Sequence, residues 1–69
     1  MNPEEIKKLT MYFRAKFENA QFTVRKRPQK NDSAEVYLGE EFIGVLFKDE
    51  EDGETSYNFS MAILDVDLE

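Results

Sequence analysis

The hydrophobic pattern of this chain changes period once, and that change constrains the fold more than any other feature. Over the first twenty residues, apolar side chains recur at the three- and four-residue spacing of an α-helix. From Gln21 onwards they alternate with polar residues, which is the pattern of half-buried β-strands. One helix followed only by strands predicts an α+β fold, and a chain of 69 residues is long enough for a single domain, residues 1–69.

The predicted helix covers residues 3–18. Asn2 is a good N-cap residue, Pro3 fits the first helical position because its missing N–H needs no partner there, and Glu5 completes a capping box. Asn19 is expected to be the left-handed residue that ends the helix. Apolar residues form one stripe, which predicts an amphipathic helix that covers a core: Ile6, Leu9, Phe13, Phe17 and Ala20.

Four strands are predicted after the helix. The first two cover residues 21–27 and 33–38, and Gly39-Glu40 is typical of a two-residue type II′ turn into the third. The acidic residues 49–54 are expected to form a solvated loop that ends in a turn at residues 52–54. The fourth strand is expected to cover residues 55–67 with a bulge near Met61. The sequence therefore predicts an N-terminal helix packed on one face of a four-stranded antiparallel meander.

The hairpin turn predicts which side chains share a face of the sheet. Pairing Leu38 with Glu41 and continuing the alternation gives a face toward the helix. That face carries Ala34, Val36, Leu38, Ile43, Val45 and Phe47, and Phe59 is expected to join this core. The side of the sheet away from the helix, called here the second face, carries Tyr37, Phe42 and Leu46, with Leu64 expected from the last strand.

The second face is the candidate interaction face, because a single helix leaves it uncovered. An exposed apolar cluster usually marks a partner site. We expect a small, non-enzymatic protein-interaction module that forms a homodimer through this face, with an unknown protein as any further partner. The alternative is that a strongly twisted fourth strand covers these side chains within one monomer.

Charge is divided unevenly along the chain. Residues 1–30 carry eight basic and three acidic side chains, a net charge of +5. Residues 31–69 carry one basic and twelve acidic side chains, a net charge of −11, so the whole chain has a net charge of −6. The two halves are expected to neutralise one another within the fold or between subunits. Anion or nucleic-acid binding is the alternative function, through the candidate contacts Arg25, Lys26, Arg27 and Lys30.

Nucleic acid is nevertheless not the expected partner. Strand alternation sends Lys26 to the opposite face from Arg25 and Arg27, so that the charges do not form one patch. Basic residues on an edge strand also protect that edge against aggregation.

Catalysis is not expected from this composition. The chain contains no Cys and no His, which removes the thiolate nucleophile, the commonest general base and the commonest metal ligand. Its glycines are isolated, so no phosphate-binding loop is present, and residues 49–54 lack the ligand spacing of a calcium-binding loop. We therefore nominate no catalytic, metal-binding or cofactor-binding residue and expect no cofactor.

A cytoplasmic location without membrane contact is expected. The apolar runs fall far short of the roughly twenty residues that span a bilayer, and the charged N-terminus does not resemble a signal sequence.

Three blocks of the sequence resemble a known family: residues 32–46 (DSAEVYLGEEFIGVL), 49–54 (DEEDGE) and 56–65 (SYNFSMAILD). They are similar to a group of short bacterial proteins, mostly alphaproteobacterial, that is defined only as a domain of unknown function. The resemblance covers nearly the whole chain. It implies a small stand-alone bacterial cytoplasmic protein and supplies no activity, ligand or catalytic residue.

Overall fold

The computed structural model describes residues 1–69 as one helix on a four-stranded sheet. The elements are α1 (Pro3–Lys16), β1 (Phe22–Lys26), β2 (Ser33–Leu38), β3 (Glu41–Glu51), β4 (Glu54–Ser60) and a short 3₁₀ helix (Asp65–Leu68). All neighbouring strands are antiparallel, and their order in the sheet is β1-β2-β3-β4. The predicted α+β meander is confirmed.

The start of α1 follows the sequence signals. Glu5 N donates to Asn2 Oδ1 over 2.8 Å, and Asn2 N donates to Glu5 Oε1 over 3.1 Å. These reciprocal bonds complete the capping box and satisfy backbone N–H groups that the first helical turn leaves without partners.

The end of α1 differs from the prediction, because Glu18 rather than Asn19 takes the left-handed conformation, with φ of 49°. Asn19 N donates to Arg14 O over 3.0 Å and Glu18 N to Ala15 O over 3.3 Å, which is the Schellman pattern. Asn19 instead uses its side-chain oxygen to accept from Gln21 N at 2.8 Å, which turns the chain toward β1.

The helix lies against β1, an edge strand of the sheet, and its side chains satisfy backbone groups of that strand. Thr10 Oγ1 accepts from Val24 N over 3.1 Å while donating to Ile6 O over 2.9 Å. Arg14 Nε donates to Phe22 O over 2.8 Å. The edge at β1 is therefore covered by the helix, which protects it against pairing with another chain.

A β-bulge interrupts the pairing of β2 with β3. The pairs next to the turn are as predicted and end with Tyr37 opposite Phe42. Val36 then pairs with Gly44 rather than with Ile43, so Ile43 is the extra residue of the bulge. Because strand side chains alternate, β3 beyond the bulge faces the opposite way from the prediction.

Because of the bulge, the core residues of β3 differ from those that the sequence predicts. Leu46 pairs with Ala34 and is only 2% exposed in the core, so the prediction that Leu46 lies on the second face is wrong. The prediction that Val45 and Phe47 face the helix is also wrong, since both lie on the second face. The observed core consists of Met1, Phe13, Phe22, Val24, Ala34, Val36 and Leu46.

Only one residue of the predicted helix stripe, Phe13, is fully buried. Ile6 and Leu9 are partly buried against the core, whereas Phe17 is exposed. Phe59 is also more exposed than predicted, although its ring meets that of Phe13 edge-on with centroids 5.4 Å apart. Because the helix lies toward β1, the side of its stripe that faces β4 remains uncovered.

The acidic segment forms a hairpin rather than a loop. Glu51 pairs with Glu54, and the turn between them consists of Asp52 and Gly53, with φ of 52° and 77°. Two left-handed residues give a type I′ turn, whose twist matches that of the flanking strands, so the ladder continues through residues 49–51.

Strand β4 ends earlier than predicted. Its last pair is Ser60 with Val45, next to the bulge in β3, and residues 61–64 continue without regular structure. The bulge bends β3 and ends the pairing, so the predicted continuation to residue 67 is wrong.

Replacing Gly44 with Ala is expected to destabilise the fold. A Cβ at Gly44 would lie 2.5 Å from Ser60 O and 2.6 Å from Phe59 Cε1, so strand and ring would both have to shift. We expect Gly44→Ala to lower the free energy of unfolding by about 1–3 kcal/mol, the usual cost of overpacking. Urea denaturation measures this value, and an unchanged midpoint would contradict the close packing of β4 on the bulge.

Candidate functional site

The second face carries an exposed apolar groove. The rings of Tyr37 and Phe42 lie edge-to-face with centroids 5.8 Å apart, as their predicted pairing requires. Phe42 and the predicted Leu64 line one groove of about 460 Å³. This second-face groove is also lined by Ile43, Val45, Phe47 and Met61.

Val45 and Phe47 are the second-face residues that the sequence prediction missed. They replace Leu46, which the bulge turns into the core. Gly44 was the available signal, because an isolated glycine inside a strand often marks a bulge or a close backbone approach.

A second apolar groove lies on the other side of the sheet, between the helix and β4. It encloses about 660 Å³. Its apolar floor is formed by Leu9, Tyr12, Phe13, Phe17, Leu46, Tyr57 and Phe59, and its charged residues are Glu5, Lys8 and Lys16. This helix–β4 groove was not predicted, because the sequence pattern gives the width of the helix stripe but not the position of the helix across the sheet.

A polar cluster joins the helix to the sheet at one end of the helix–β4 groove. Glu5 Oε2 lies 2.6 Å from Lys48 Nζ of β3 and accepts a 2.7 Å hydrogen bond from the Tyr57 hydroxyl of β4. Glu5 is also the capping-box residue of α1. One carboxylate therefore fixes the helix N-terminus and attaches it to both strands.

The cluster stabilises the ionised form of Glu5. Hydrogen bonds from Lys48 and then Tyr57 lower the pKa of Glu5 from 4.5 to about 2. The hydrogen bond to Glu5 in turn raises the pKa of Lys48 and the pKa of Tyr57. A carboxylate with so low a pKa is a weak base near neutral pH, so the arrangement is suited to holding the helix in place.

The predicted basic contacts do not form one patch. The Arg25 guanidinium lies over the Tyr37 ring, 3.8 Å from its centroid, and Arg27 donates to Ser33 Oγ over 3.2 Å. Lys26 alternates to the opposite face from Arg25 in β1, and Arg27 and Lys30 lie in the connection before β2. Anion binding through these residues stays a prediction.

Comparison with known proteins places the chain in a family. A family model described as "Protein of unknown function (DUF3126)" matches residues 5–67. The chain belongs to this family. The match covers all four strands and most of α1. No curated protein and no solved structure matches the chain.

The α-helix is not a candidate for crossing a membrane. It has 14 residues and charged side chains on several turns, so it is neither long nor apolar enough to span a bilayer.

Replacing Glu5 with Gln is expected to remove the charge of the cluster while keeping the capping box, since Gln also serves at this position. The folded pKa of Glu5, about 2, lies below its ordinary value of 4.5. The stabilisation that the ionised Glu5 gives the folded state is thus present above about pH 5 and is lost as pH falls through 4.5 toward 2. We expect Glu5→Gln to lower the melting temperature at neutral pH and to match the wild type near pH 2.

Thermal unfolding followed by circular dichroism from pH 2 to pH 7 measures this difference. Glu4→Gln is the matched control, because Glu4 is exposed in the same helical turn and makes no ion pair. If the melting temperatures of Glu5→Gln and the wild type change in parallel from pH 2 to pH 7, the stabilising role of the Glu5 charge is contradicted.

Proposed function

We propose that this protein is a small non-enzymatic protein-interaction module that self-associates through its second face. The observation that carries the proposal is the second-face groove, in which Phe42 and Phe47 remain 50% and 46% exposed. Two half-exposed phenylalanines in one apolar groove are typical of a partner site, whereas scattered apolar residues would need no explanation. A sheet face can pack on a second copy of itself in a symmetric dimer.

The surface area of the chain supports the proposal. A compact monomer of 8.1 kDa exposes about 4,500 Å² by the usual scaling with mass. This chain exposes 5480 Å². The excess, about 1,000 Å², is comparable to the roughly 800 Å² that each partner buries in a protein–protein interface of standard size.

The polar groups around the second-face groove favour a protein partner over a small ligand. The groove is shallow and lies on a sheet, and it carries carboxylates of Glu41 and Asp67 at its border. Beside it, Arg25 is held over Tyr37 and lies 4.0 Å from Glu40. An apolar centre with charged groups at the rim matches the usual composition of a protein interface.

Sedimentation equilibrium of the wild type and of Phe42→Glu tests the proposal. We expect the wild type to form dimers at micromolar concentrations and Phe42→Glu to weaken the association at least about tenfold, because the charge would be buried without a partner. A wild type that is strictly monomeric at high micromolar concentration would overturn the proposal.

Met11→Glu is the matched control, since Met11 is exposed on the helix and lines neither groove. It introduces the same charge and should leave the association unchanged. Phe47→Glu provides a second test in the same groove, and circular dichroism reports whether each variant is folded. If Phe42→Glu and Phe47→Glu both unfold, the second face belongs to the core of a monomer and the proposal is wrong.

A further inference from the structure

The helix–β4 groove is unfilled and opens to solvent. Its volume of about 660 Å³ lies within the range of binding pockets, and most of its lining is aromatic or aliphatic. Phe17 and Phe59 stay partly exposed there although both contact the buried ring of Phe13. The groove therefore has room for apolar side chains from outside the chain.

Strand β4, which borders this groove, has an open edge. The other edge of the sheet, β1, is covered by hydrogen bonds from Thr10 and Arg14 of the helix. No backbone hydrogen bond outside the β3–β4 ladder involves residues 54–60. An open edge beside an apolar groove is the geometry by which a domain binds an extended peptide, with main-chain bonds to the edge and side chains in the groove.

Residues 61–69 have the composition that such a groove would accept. Their large apolar side chains are more than half exposed in this chain: Met61, Ile63, Leu64, Val66 and Leu68. From residue 64 the apolar residues alternate with Asp65, Asp67 and Glu69. In an extended conformation, which requires the 3₁₀ helix Asp65–Leu68 to unwind, Leu64, Val66 and Leu68 lie on one side of the segment. The three carboxylates lie on the other side, together with Met61 and Ile63.

The charges of the groove and of the segment are complementary. Lys8 and Lys16 lie at the rim of the groove, and neither has a carboxylate within 4 Å in the chain. The only carboxylate of the groove, Glu5, is engaged by Lys48 and Tyr57. Residues 61–69 carry three carboxylates and no basic group. Complementary charge of this kind aligns an apolar contact and disfavours wrong partners.

Residues 61–69 are not placed to fill the helix–β4 groove of their own chain. Met61, Leu64 and Asp67 line the second-face groove, on the side of the sheet opposite the helix. A second copy can present the segment from outside. When two copies exchange their segments reciprocally, the two contacts are equivalent and close into a symmetric dimer, whereas a one-way contact would propagate.

We propose that the helix–β4 groove of one copy binds residues 61–69 of a second copy, in a reciprocal exchange. The proposal rests on the self-association proposed above. The exchange would withdraw Met61, Leu64 and Asp67 from the second-face groove, while Phe42 and Phe47 stay there. It assigns the groove a ligand of defined chemistry: a short extended segment with alternating apolar and acidic residues.

A labelled peptide of residues 61–69, titrated into the full-length chain and followed by fluorescence anisotropy, tests the proposal. The receiving chain carries Val66→Asp and Leu68→Asp, so that its own segments do not compete; both residues are exposed, and the fold should be kept. We expect saturable binding that weakens at least tenfold when the receiving chain also carries Lys8→Glu and Lys16→Glu.

Lys7→Glu with Lys30→Glu is the matched control, because it makes the same change of charge at exposed positions outside the groove. This control should bind the peptide within about twofold of the parent chain once the ionic strength is near physiological and long-range repulsion is screened. Circular dichroism confirms that each receiving chain is folded.

A charge exchange strengthens the test. A peptide with Asp65→Lys and Glu69→Lys should bind more tightly to the Lys8→Glu, Lys16→Glu chain than to the parent chain. The wild-type peptide should show the opposite preference. Asp67 is left unchanged, so that the two peptides differ only at Asp65 and Glu69.

Two outcomes would overturn the proposal. One is the absence of saturable binding, including the case in which the fatty acid dodecanoate binds the groove and the peptide does not. The other is equal binding of the peptide to the groove variant and to its control. Adding Phe42→Glu to the receiving chain separates this proposal from the proposed function, because Phe42 lies outside the helix–β4 groove and its replacement should leave peptide binding unchanged.

Discussion

The single extra residue in β3, Ile43, determines what each side of the sheet presents. It lets Gly44 and Leu46 face the helix and turns Val45 and Phe47 outward. The missing side chain of Gly44 then admits the Phe59 ring and the Ser60 carbonyl of β4, which ties the last strand to the bulge. Core, second face and the end of β4 therefore depend on one local departure from regular pairing.

The position of the helix explains why the two edges of the sheet differ. Near its C-terminus the helix bonds to β1 through Arg14, and near its N-terminus Glu5 reaches Lys48 and Tyr57 on β3 and β4. The helix between these attachments bonds to two backbone groups of β1 and leaves a groove beside β4. A sheet of four strands is wider than one helix, so some apolar surface must remain open unless another layer covers it.

The sequence predicted those features that depend on neighbouring residues. The capping box of Asn2 and Glu5 and the turn at Gly39 each follow from local chemistry, and both are present. The faces of β3 could not be predicted by counting alternate residues, because one bulge reverses every position beyond Gly44. Likewise, the helix–β4 groove depends on a long-range contact, Glu5 with Lys48, that has no local signature. Tyr37 and Phe42 lie on the second face as predicted, because both lie between the turn and the bulge, and Leu64 lines the groove there.

The uneven division of charge is only partly compensated inside one chain. Arg25 and Lys48 are the basic residues with a carboxylate within 4 Å, so the remaining cations of the first half, including Lys8 and Lys16, stay free of ion pairs. Asp67 of the C-terminal segment lines the second-face groove, on the opposite side of the sheet from the helix. Charges on opposite sides of the sheet attract one another only weakly, since the screening length is about 8 Å at physiological salt. In the proposed exchange, contact between chains would bring Lys8 and Lys16 next to the carboxylates of residues 61–69, and the apolar surfaces that remain exposed lie beside these same charges.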